Sequence, residues 1–170
     1  MRAPDRVFDA QEILRVLVTH QVDFLVVGAV AVQAHGYIRS TLDLDIVVRP
    51  SALNLSRLAE ALADLEAEPR NARARLQLAD PNWLKRAPVV PVVTRAGWFD
   101  VLNVESTGQR YDDLRAGALT IELRGLKVDV VGLRDLIRMK KAAGRPQDLA
   151  DIEALTRLDD TPGDRGSKST

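Results

Sequence analysis

Two aspartates that interrupt an apolar strand pattern constrain this chain more than any other feature. Residues 42–48 alternate as a β-strand does until Asp43 and Asp45 enter the pattern. Residues two apart in a strand face the same side, about 6.5 to 7 Å apart, so the two carboxylates repel each other unless a cation lies between them. Hard divalent cations such as Mg²⁺ take oxygen ligands. The pattern therefore predicts a divalent metal site on one face of a sheet.

A glycine turn and a short helix precede this strand. Residues 24–27 form an apolar run that Gly28 stops. Residues 29–35 have the composition of a helix, which Gly36 can end in a left-handed conformation. The segment therefore predicts a strand, a glycine, a short helix, a turn and a second strand.

A third carboxylate interrupts a later strand. Residues 89–94 and 98–104 predict two strands around a turn at Ala96-Gly97, and Asp100 lies within the second. A carboxylate inside an apolar strand needs a partner. The alternative is a surface or turn position for Asp100.

The other predicted elements are mostly helices. Asp9 and Glu12 have the spacing of a capping box for a first helix that runs to about His20, and Ser51 starts another helix. The later predictions are a short helix over residues 111–115, a hairpin of residues 119–123 and 127–131, and helices over residues 133–143 and 146–158.

A basic, proline-interrupted segment over residues 70–95 has two interpretations. It contains six basic residues and only one acidic residue, Asp80, and Trp83 lies among the charged residues in the sequence. One interpretation is a solvated connection with an edge strand over residues 76–78. The other is a basic lip with one stacking ring, suited to a nucleotide or an RNA backbone. The basic residues are Arg70, Arg73, Arg75, Lys85, Arg86 and Arg95.

Composition narrows the function classes. With no cysteine and only two histidines, any metal site must rely on oxygen ligands. The net charge of zero argues against non-specific binding to bulk DNA. No apolar run approaches the roughly 20 residues that cross a bilayer, and no signal peptide is evident, so we expect a cytoplasmic protein without membrane contact. We also expect a single domain over residues 1–158 and a disordered tail over residues 159–170.

These motifs resemble those of a known superfamily. Gly28, a short helix and then Asp43-Leu44-Asp45-Ile46 are similar to the signature of the DNA polymerase β-like nucleotidyltransferase fold. The text Arg39-Ser40-Thr41-Leu42-Asp43-Leu44-Asp45 resembles, more narrowly, the AbiEii/AbiGii-type toxin branch. That branch also carries a helix lysine and an Asp-Leu-x-Asp-Ile segment, as residues 135–152 do. The resemblance implies an α/β (α+β) fold, with a small mixed sheet flanked by helices.

The resemblance also implies a metal-dependent site. Asp43, Asp45 and Asp100 would hold two Mg²⁺ ions, with Asp100 on the acceptor side, where it could help to deprotonate the acceptor. The phosphates of a nucleoside triphosphate would meet the backbone N–H groups of Gly28 and Ala29 at a helix N-terminus. The family has Gly or Ser where Ala29 stands, so a hydroxyl contact is missing. The further candidates for phosphate contact or support are Arg39, Thr41, Lys140, Asp148 and Asp151.

Purely structural roles are the alternatives. The two strand aspartates could discourage edge-to-edge aggregation, and Arg39 could pair with a carboxylate. Lys140 could lie on the solvated side of its helix beside Lys141. Asp148 and Asp151 could serve only the helix dipole, or one of them could order Lys140.

The implied activity is transfer of a nucleoside monophosphate to RNA (tRNA) or to a protein hydroxyl, with release of pyrophosphate. The implied setting is toxin–antitoxin or phage defence, with a cognate antitoxin or toxin as partner. One alternative is a minimal nucleotidyltransferase antitoxin that modifies its partner toxin. Another is a catalytically inactive, nucleotide-binding or scaffold member of the fold.

Overall fold

In the computed structural model, which describes residues 7–71 and 87–160, helices surround a seven-stranded mixed sheet. The predicted fold class is therefore confirmed. The elements in chain order are α1 (Ala10–Thr19), β1 (Phe24–Val27), α2 (Gly28–Ala34), β2 (Asp43–Val48), α3 (Ala52–Asp64), β3 (Glu68–Pro69), β4 (Val89–Thr94), β5 (Gly97–Leu102), a 3₁₀ helix (Val104–Thr107), α4 (Tyr111–Ala116), β6 (Leu119–Leu123), β7 (Leu126–Val130), α5 (Leu133–Ala143) and α6 (Pro146–Asp160).

The sheet topology brings distant segments of the chain side by side. The strand order is β3-β4-β5-β2-β1-β7-β6. The β2–β5 and β1–β7 pairs are parallel and the other pairs are antiparallel. Since parallel neighbours need a crossover connection, α3, β3 and β4 all lie between β2 and β5 in the chain. The two strands interrupted by aspartates are therefore adjacent in the sheet.

Helix starts follow the predicted capping residues. The Asp9 carboxylate accepts a hydrogen bond from the backbone N–H of Glu12 at 3.0 Å, and the Ser51 hydroxyl accepts one from Asn54 at 3.3 Å. Each cap satisfies an N–H group that has no partner within its helix. Helices α1 and α3 pack against each other, and their apolar faces join the core.

The alternation of β2 and β5 separates a core face from a polar face. Leu44 and Ile46 on β2 are completely buried, as is Phe99 on β5. Burial of each such side chain stabilises the fold by about 1.5–3 kcal/mol. A slip of one residue would exchange these side chains with the aspartates, because the side-chain period of a strand is two. The core therefore fixes the face on which the carboxylates lie.

Two predictions about chain segments need correction or fall outside the described residues. Helix α6 continues through Asp160, so Asp159 and Asp160 are helical, although we predicted that the tail begins at residue 159. A short edge strand, β3, was not predicted, and the edge strand expected over residues 76–78 lies outside the described residues, as does most of the basic segment.

None of the helices in the described part of the chain has the length and hydropathy needed to span a bilayer.

Candidate active site

Three aspartates project from one face of the central sheet. Asp43 and Asp45 lie two apart on β2, and Asp45 is paired in register with Asp100 on the parallel strand β5. Neighbouring strands are about 4.8 Å apart, and paired residues point to the same face. The structure therefore brings together the three carboxylates that the sequence nominated.

The pKa values of Asp45 and Asp100 are raised, so their charged forms are disfavoured. The pKa of Asp45 is raised to about 7, first by burial and then by the charges of Asp43 and Asp100. The pKa of Asp100 is also raised, chiefly by burial, although the Arg70 guanidinium opposes this shift. A cation placed among the carboxylates would relieve both effects.

The glycine turn touches the carboxylate row directly. Gly28 follows β1 with φ of +65°, and a Cβ atom placed there would lie 2.0 Å from Oδ2 of Asp45. Only glycine fits, because a side chain would be strained by the backbone and would collide with the carboxylate. Val27, which caps α2, provides no side-chain hydrogen bond to the first N–H groups of the helix. Gly28 and Ala29 lie at the edge of the same cavity as the aspartates.

This cavity has a volume of about 560 Å³, within the range of small-ligand pockets. The three aspartates line it, together with residues of α5 and of the start of α6. The polar and turn residues that line it are Gly28, Ala29, Arg39, Asp43, Asp45, Asp100, Lys140, Arg145, Gln147 and Asp148.

A buried charge network joins α5, α6 and the turn before β2. The ammonium of Lys140 contacts Asp148 at 3.1 Å and Asp151 at 2.7 Å, and Arg39 contacts Asp151 at 2.6 Å. The solvated position considered for Lys140 is wrong, since only 6% of the residue is exposed. Asp148 and Asp151 do more than meet the helix dipole, because both hold Lys140. Arg39 pairs with a carboxylate, as the structural alternative for it stated.

Thr41 contacts a carboxylate of the site. Its hydroxyl donates a hydrogen bond to Oδ1 of Asp43 at 2.9 Å. Such a bond orients the Asp43 carboxylate, whose other oxygen stays available. In the described structure Thr41 is therefore a support of Asp43, and phosphate contact by Thr41 stays a prediction.

Two cations of the site were not assigned to it from the sequence. Arg145 lines the cavity beside Asp148, with 75% of its side chain exposed. Its pKa is raised first by the hydrogen bond to Asp148 and also by the charges of Asp45 and Asp43. The sequence signal available for Arg145 was its place between Gly144, which ends α5 in a left-handed conformation, and Pro146, which begins α6. Arg70 forms a short ion pair with Asp100, and its position in a basic segment gave no sign of that contact.

The carboxylate row fits a divalent ion in residue type. Three acids on one sheet face offer the oxygen ligands that Mg²⁺ takes. Burial, and then the charges of Asp43 and Asp100, raise the pKa of Asp45, and a bound cation would favour its charged form. Among residues 7–71 and 87–160, no group of three acidic, histidine or cysteine side chains is already drawn together as metal ligands. Asp100 faces Arg70 instead. An ion shared by all three aspartates therefore requires Asp100 to turn from Arg70.

Comparison with known families gives one match that spans nearly the whole chain. The model of the family described as "Nucleotidyltransferase of unknown function (DUF6036)" matches residues 5–161. No curated protein is significantly similar to the chain in sequence.

Several solved structures share the fold at low sequence identity. The lincosamide antibiotic adenylyltransferase LnuA, bound to lincomycin, has a TM-score of 0.62 and 14% identity over 89% of this chain and 99% of its own. The antibiotic-resistance factor ANT(2'')-Ia has a TM-score of 0.57 and 12% identity over 86% of this chain and 78% of its own. An antigenic nucleotidyltransferase-like protein from Paracoccidioides brasiliensis has a TM-score of 0.53 and 18% identity over 89% of this chain and 78% of its own. These likenesses establish the fold of the chain.

Proposed function

Since the chain belongs to the family of nucleotidyltransferases whose model matches residues 5–161, we propose that it moves a nucleoside monophosphate from a nucleoside triphosphate to a hydroxyl group. The observation that carries this proposal is the row of Asp43, Asp45 and Asp100 on one face of the sheet, beside the Gly28 turn in one cavity. Membership of the narrower AbiEii/AbiGii-type toxin branch stays a prediction from the sequence.

The proposed reaction is a displacement at the α-phosphorus. The acceptor oxygen forms a bond to that phosphorus, the bond to the oxygen that bridges to the β-phosphate breaks, and pyrophosphate leaves. Asp43 and Asp45 would hold divalent ions, with Asp100 as the ligand on the acceptor side. When bound, such ions supply positive charge to the phosphate oxygens. Asp100, whose pKa is raised by burial, accepts the acceptor proton.

The phosphates are proposed to lie against the start of α2. Its first N–H groups receive no side-chain cap, and Gly28 brings them beside Asp45. Arg145 is the cation best placed to reach the β- and γ-phosphates, because its side chain is largely exposed in the cavity wall. Lys140 and Arg39 are the further candidates, and each already shares its charge with Asp151.

Two kinds of acceptor are proposed. The toxin-like sequence motifs favour tRNA or a protein hydroxyl, in a toxin–antitoxin or phage-defence setting. The likeness to LnuA over 99% of its length supports a hydroxylated small molecule as the second candidate, since that enzyme was solved with lincomycin bound. The cavity volume of about 560 Å³ suits such a molecule only if the triphosphate leaves part of it free.

Two roles compete with that of a toxin. An antitoxin of this fold would modify and silence a partner toxin, and an inactive member would bind nucleotide without transferring it. Expression of the chain alone in cells distinguishes a toxin from an antitoxin, because a toxin arrests growth and an antitoxin does not.

A labelling screen tests the activity itself. The protein is incubated with each of the four α-³²P-labelled nucleoside triphosphates and Mg²⁺, in the presence of total tRNA, cell lysate, or lincosamide antibiotics. We expect label to appear in one acceptor class with the wild type and to disappear with Asp43→Ala. Asp113→Ala, which removes an exposed acid of α4, is the matched control and should keep the activity. Bound nucleotide without label transfer in any mixture would favour the inactive role.

A further inference from the structure

Arg70 lies across one strand from Asp100, on the same side of the sheet. Its backbone N–H donates to the carbonyl of Pro91 at 3.2 Å, and Pro91 is paired with Asp100 on β5. Residues in one such row point to the same face. The side chain of Arg70 therefore passes over Pro91, and its Nη2 forms a short ion pair with Oδ1 of Asp100.

The same guanidinium stacks on an indole ring. The Cζ atom of Arg70 lies 5.0 Å from the centroid of the Trp98 ring, within the range of cation–π attraction. Trp98 is two residues before Asp100 on β5 and is paired with Asp43, so the ring belongs to the carboxylate face. Trp98 as a whole residue is 47% exposed. One carboxylate and one ring thus hold the cation at the border of the aspartate row.

A guanidinium in this position competes with a divalent ion. It occupies one oxygen of Asp100, and its positive charge repels a second cation near that carboxylate. We propose that Arg70 is a positioning residue that holds Asp100 while the metal site is empty, and that divalent-ion binding displaces the guanidinium from Asp100. This inference rests on the proposed function, since it takes the three aspartates as the metal ligands.

A simpler role for the pair is to fasten the edge of the sheet. Strand β3 has only two residues, and the ion pair ties the residue that follows it to β5. The two roles predict different changes in metal affinity when Arg70 is replaced. A fastening pair predicts that loss of Arg70 leaves metal binding unchanged or weaker, whereas competition predicts tighter binding.

Metal affinity is measured with Mn²⁺ by electron paramagnetic resonance for the wild type, Arg70→Met and Arg145→Met. We expect Arg70→Met to bind Mn²⁺ about tenfold more tightly, which corresponds to about 1.4 kcal/mol. Arg145→Met controls for the loss of a positive charge near the site, because Arg145 lines the same cavity but its ion pair is with Asp148. An unchanged or weaker affinity in Arg70→Met, or an equal gain in both variants, overturns the inference.

Fluorescence of Trp98 reports on the guanidinium without any change to Arg70. The chain has two tryptophans, so Trp83→Phe leaves Trp98 as the only tryptophan, which is excited at wavelengths that tyrosine does not absorb. We expect Mg²⁺ to change the emission of Trp98 in Trp83→Phe along the same isotherm as metal binding, because the stacked cation moves away. The double variant Trp83→Phe/Arg70→Met should lose this change. Metal binding to Trp83→Phe with constant emission overturns the inference, even where Arg70→Met fails to fold.

The two proposals fail in different ways. Mg²⁺-dependent label transfer by the wild type, with no gain in affinity from Arg70→Met, leaves the proposed function intact and rejects the role of Arg70. A lack of metal binding in all variants rejects the role of Arg70, and the labelling screen then decides the transferase activity separately.

Discussion

At Gly28, the missing side chain lets the turn between β1 and α2 contact Asp45 on β2. The backbone φ of +65° and the distance of 2.0 Å that would separate an added Cβ from Asp45 both exclude a larger residue. We expect Gly28→Ala to lower the free energy of unfolding by about 1–3 kcal/mol or more and to abolish nucleotide transfer. Urea unfolding and the labelling assay measure the two effects.

The control for this substitution is Gly125→Ala in the β6–β7 turn. Gly125 has a φ of +82°, and a Cβ added to it would meet no atom within 4 Å, so the variant has the backbone strain without the collision. It should lose stability, by about 1–2 kcal/mol, and keep its activity. Equal activity in both variants would show that contact between Gly28 and Asp45 has no part in catalysis.

Asp45 makes the stability of the protein depend on pH. Its pKa is about 7 in the fold and 3.8 in an unperturbed carboxyl. Between these values the folded protein keeps a proton that the unfolded chain releases, so stability falls as the pH rises from about 4 to 7. The full cost, on the order of 4 kcal/mol, is present above pH 7.

We therefore expect Asp45→Asn to stabilise the metal-free protein by about 2–4 kcal/mol at pH 8 and to have little effect at pH 4. Urea unfolding in the presence of EDTA at the two pH values measures this difference. Asp113→Asn, at an exposed position, should show no such dependence. The same gain from Asp45→Asn at both pH values would contradict the assignment of the raised pKa to Asp45.

At the scale of elements, α5 and α6 act as one unit joined by buried charge. Lys140 contacts both Asp148 and Asp151, and its loss leaves two buried acids with fewer partners. We expect Lys140→Met to lower the free energy of unfolding by about 3–5 kcal/mol, because breaking a buried pair exposes the cost of burying its partner. Urea unfolding at pH 7 measures this loss.

Lys141, the next residue of the same helix, is exposed and provides the matched control. Lys141→Met should change stability by less than about 0.5 kcal/mol. A similar small effect from both substitutions would mean that the Lys140 network contributes little to folding.

Local sequence patterns predicted most of the helices and strands, but they did not predict contacts between segments that are distant in the chain. Asp9 and Ser51 predicted the starts of their helices, because a capping residue forms its hydrogen bond within the first turn of the helix. The alternation that nominated Asp43 and Asp45 is likewise local. The in-register neighbour of Asp45 depends on a parallel pair whose strands have at least α3, β3 and β4 between them in the chain. The strand pattern singled out Asp100, but only the family resemblance placed it beside Asp45. The burial of Lys140 depends on how α6 packs on α5, which helical periodicity does not specify.

At the scale of the whole molecule, the site draws on segments from across the chain. The β1–β2 unit provides the turn and two acids, β5 provides the third acid, and α5 with α6 closes the cavity. A ligand that bridges these parts stabilises all of them together. The net charge of zero gives no long-range attraction for nucleic acid, so any RNA acceptor must be recognised by local contacts near the cavity.

Nucleotide binding should therefore raise the melting temperature of the whole chain. At a ligand concentration of 100 times Kd, binding contributes about 2.7 kcal/mol, which corresponds to a rise of about 5–11 °C for a domain of this size. We expect this rise with Mg²⁺ and a non-hydrolysable analogue of the preferred nucleoside triphosphate. Differential scanning calorimetry with each of the four analogues identifies that nucleotide.

Chelation by EDTA tests whether nucleotide binding depends on the proposed metal ions at the carboxylate row. If the aspartates hold the ions that bind the triphosphate, EDTA abolishes most of the rise, and Asp43→Ala shows little rise with or without Mg²⁺. The Gly28 turn and Arg145 would still bind phosphate weakly, because their contacts do not pass through the metal. A full rise in EDTA, or in Asp43→Ala, would place nucleotide binding outside the carboxylate row, because a ligand bound through those acids cannot be indifferent to their loss.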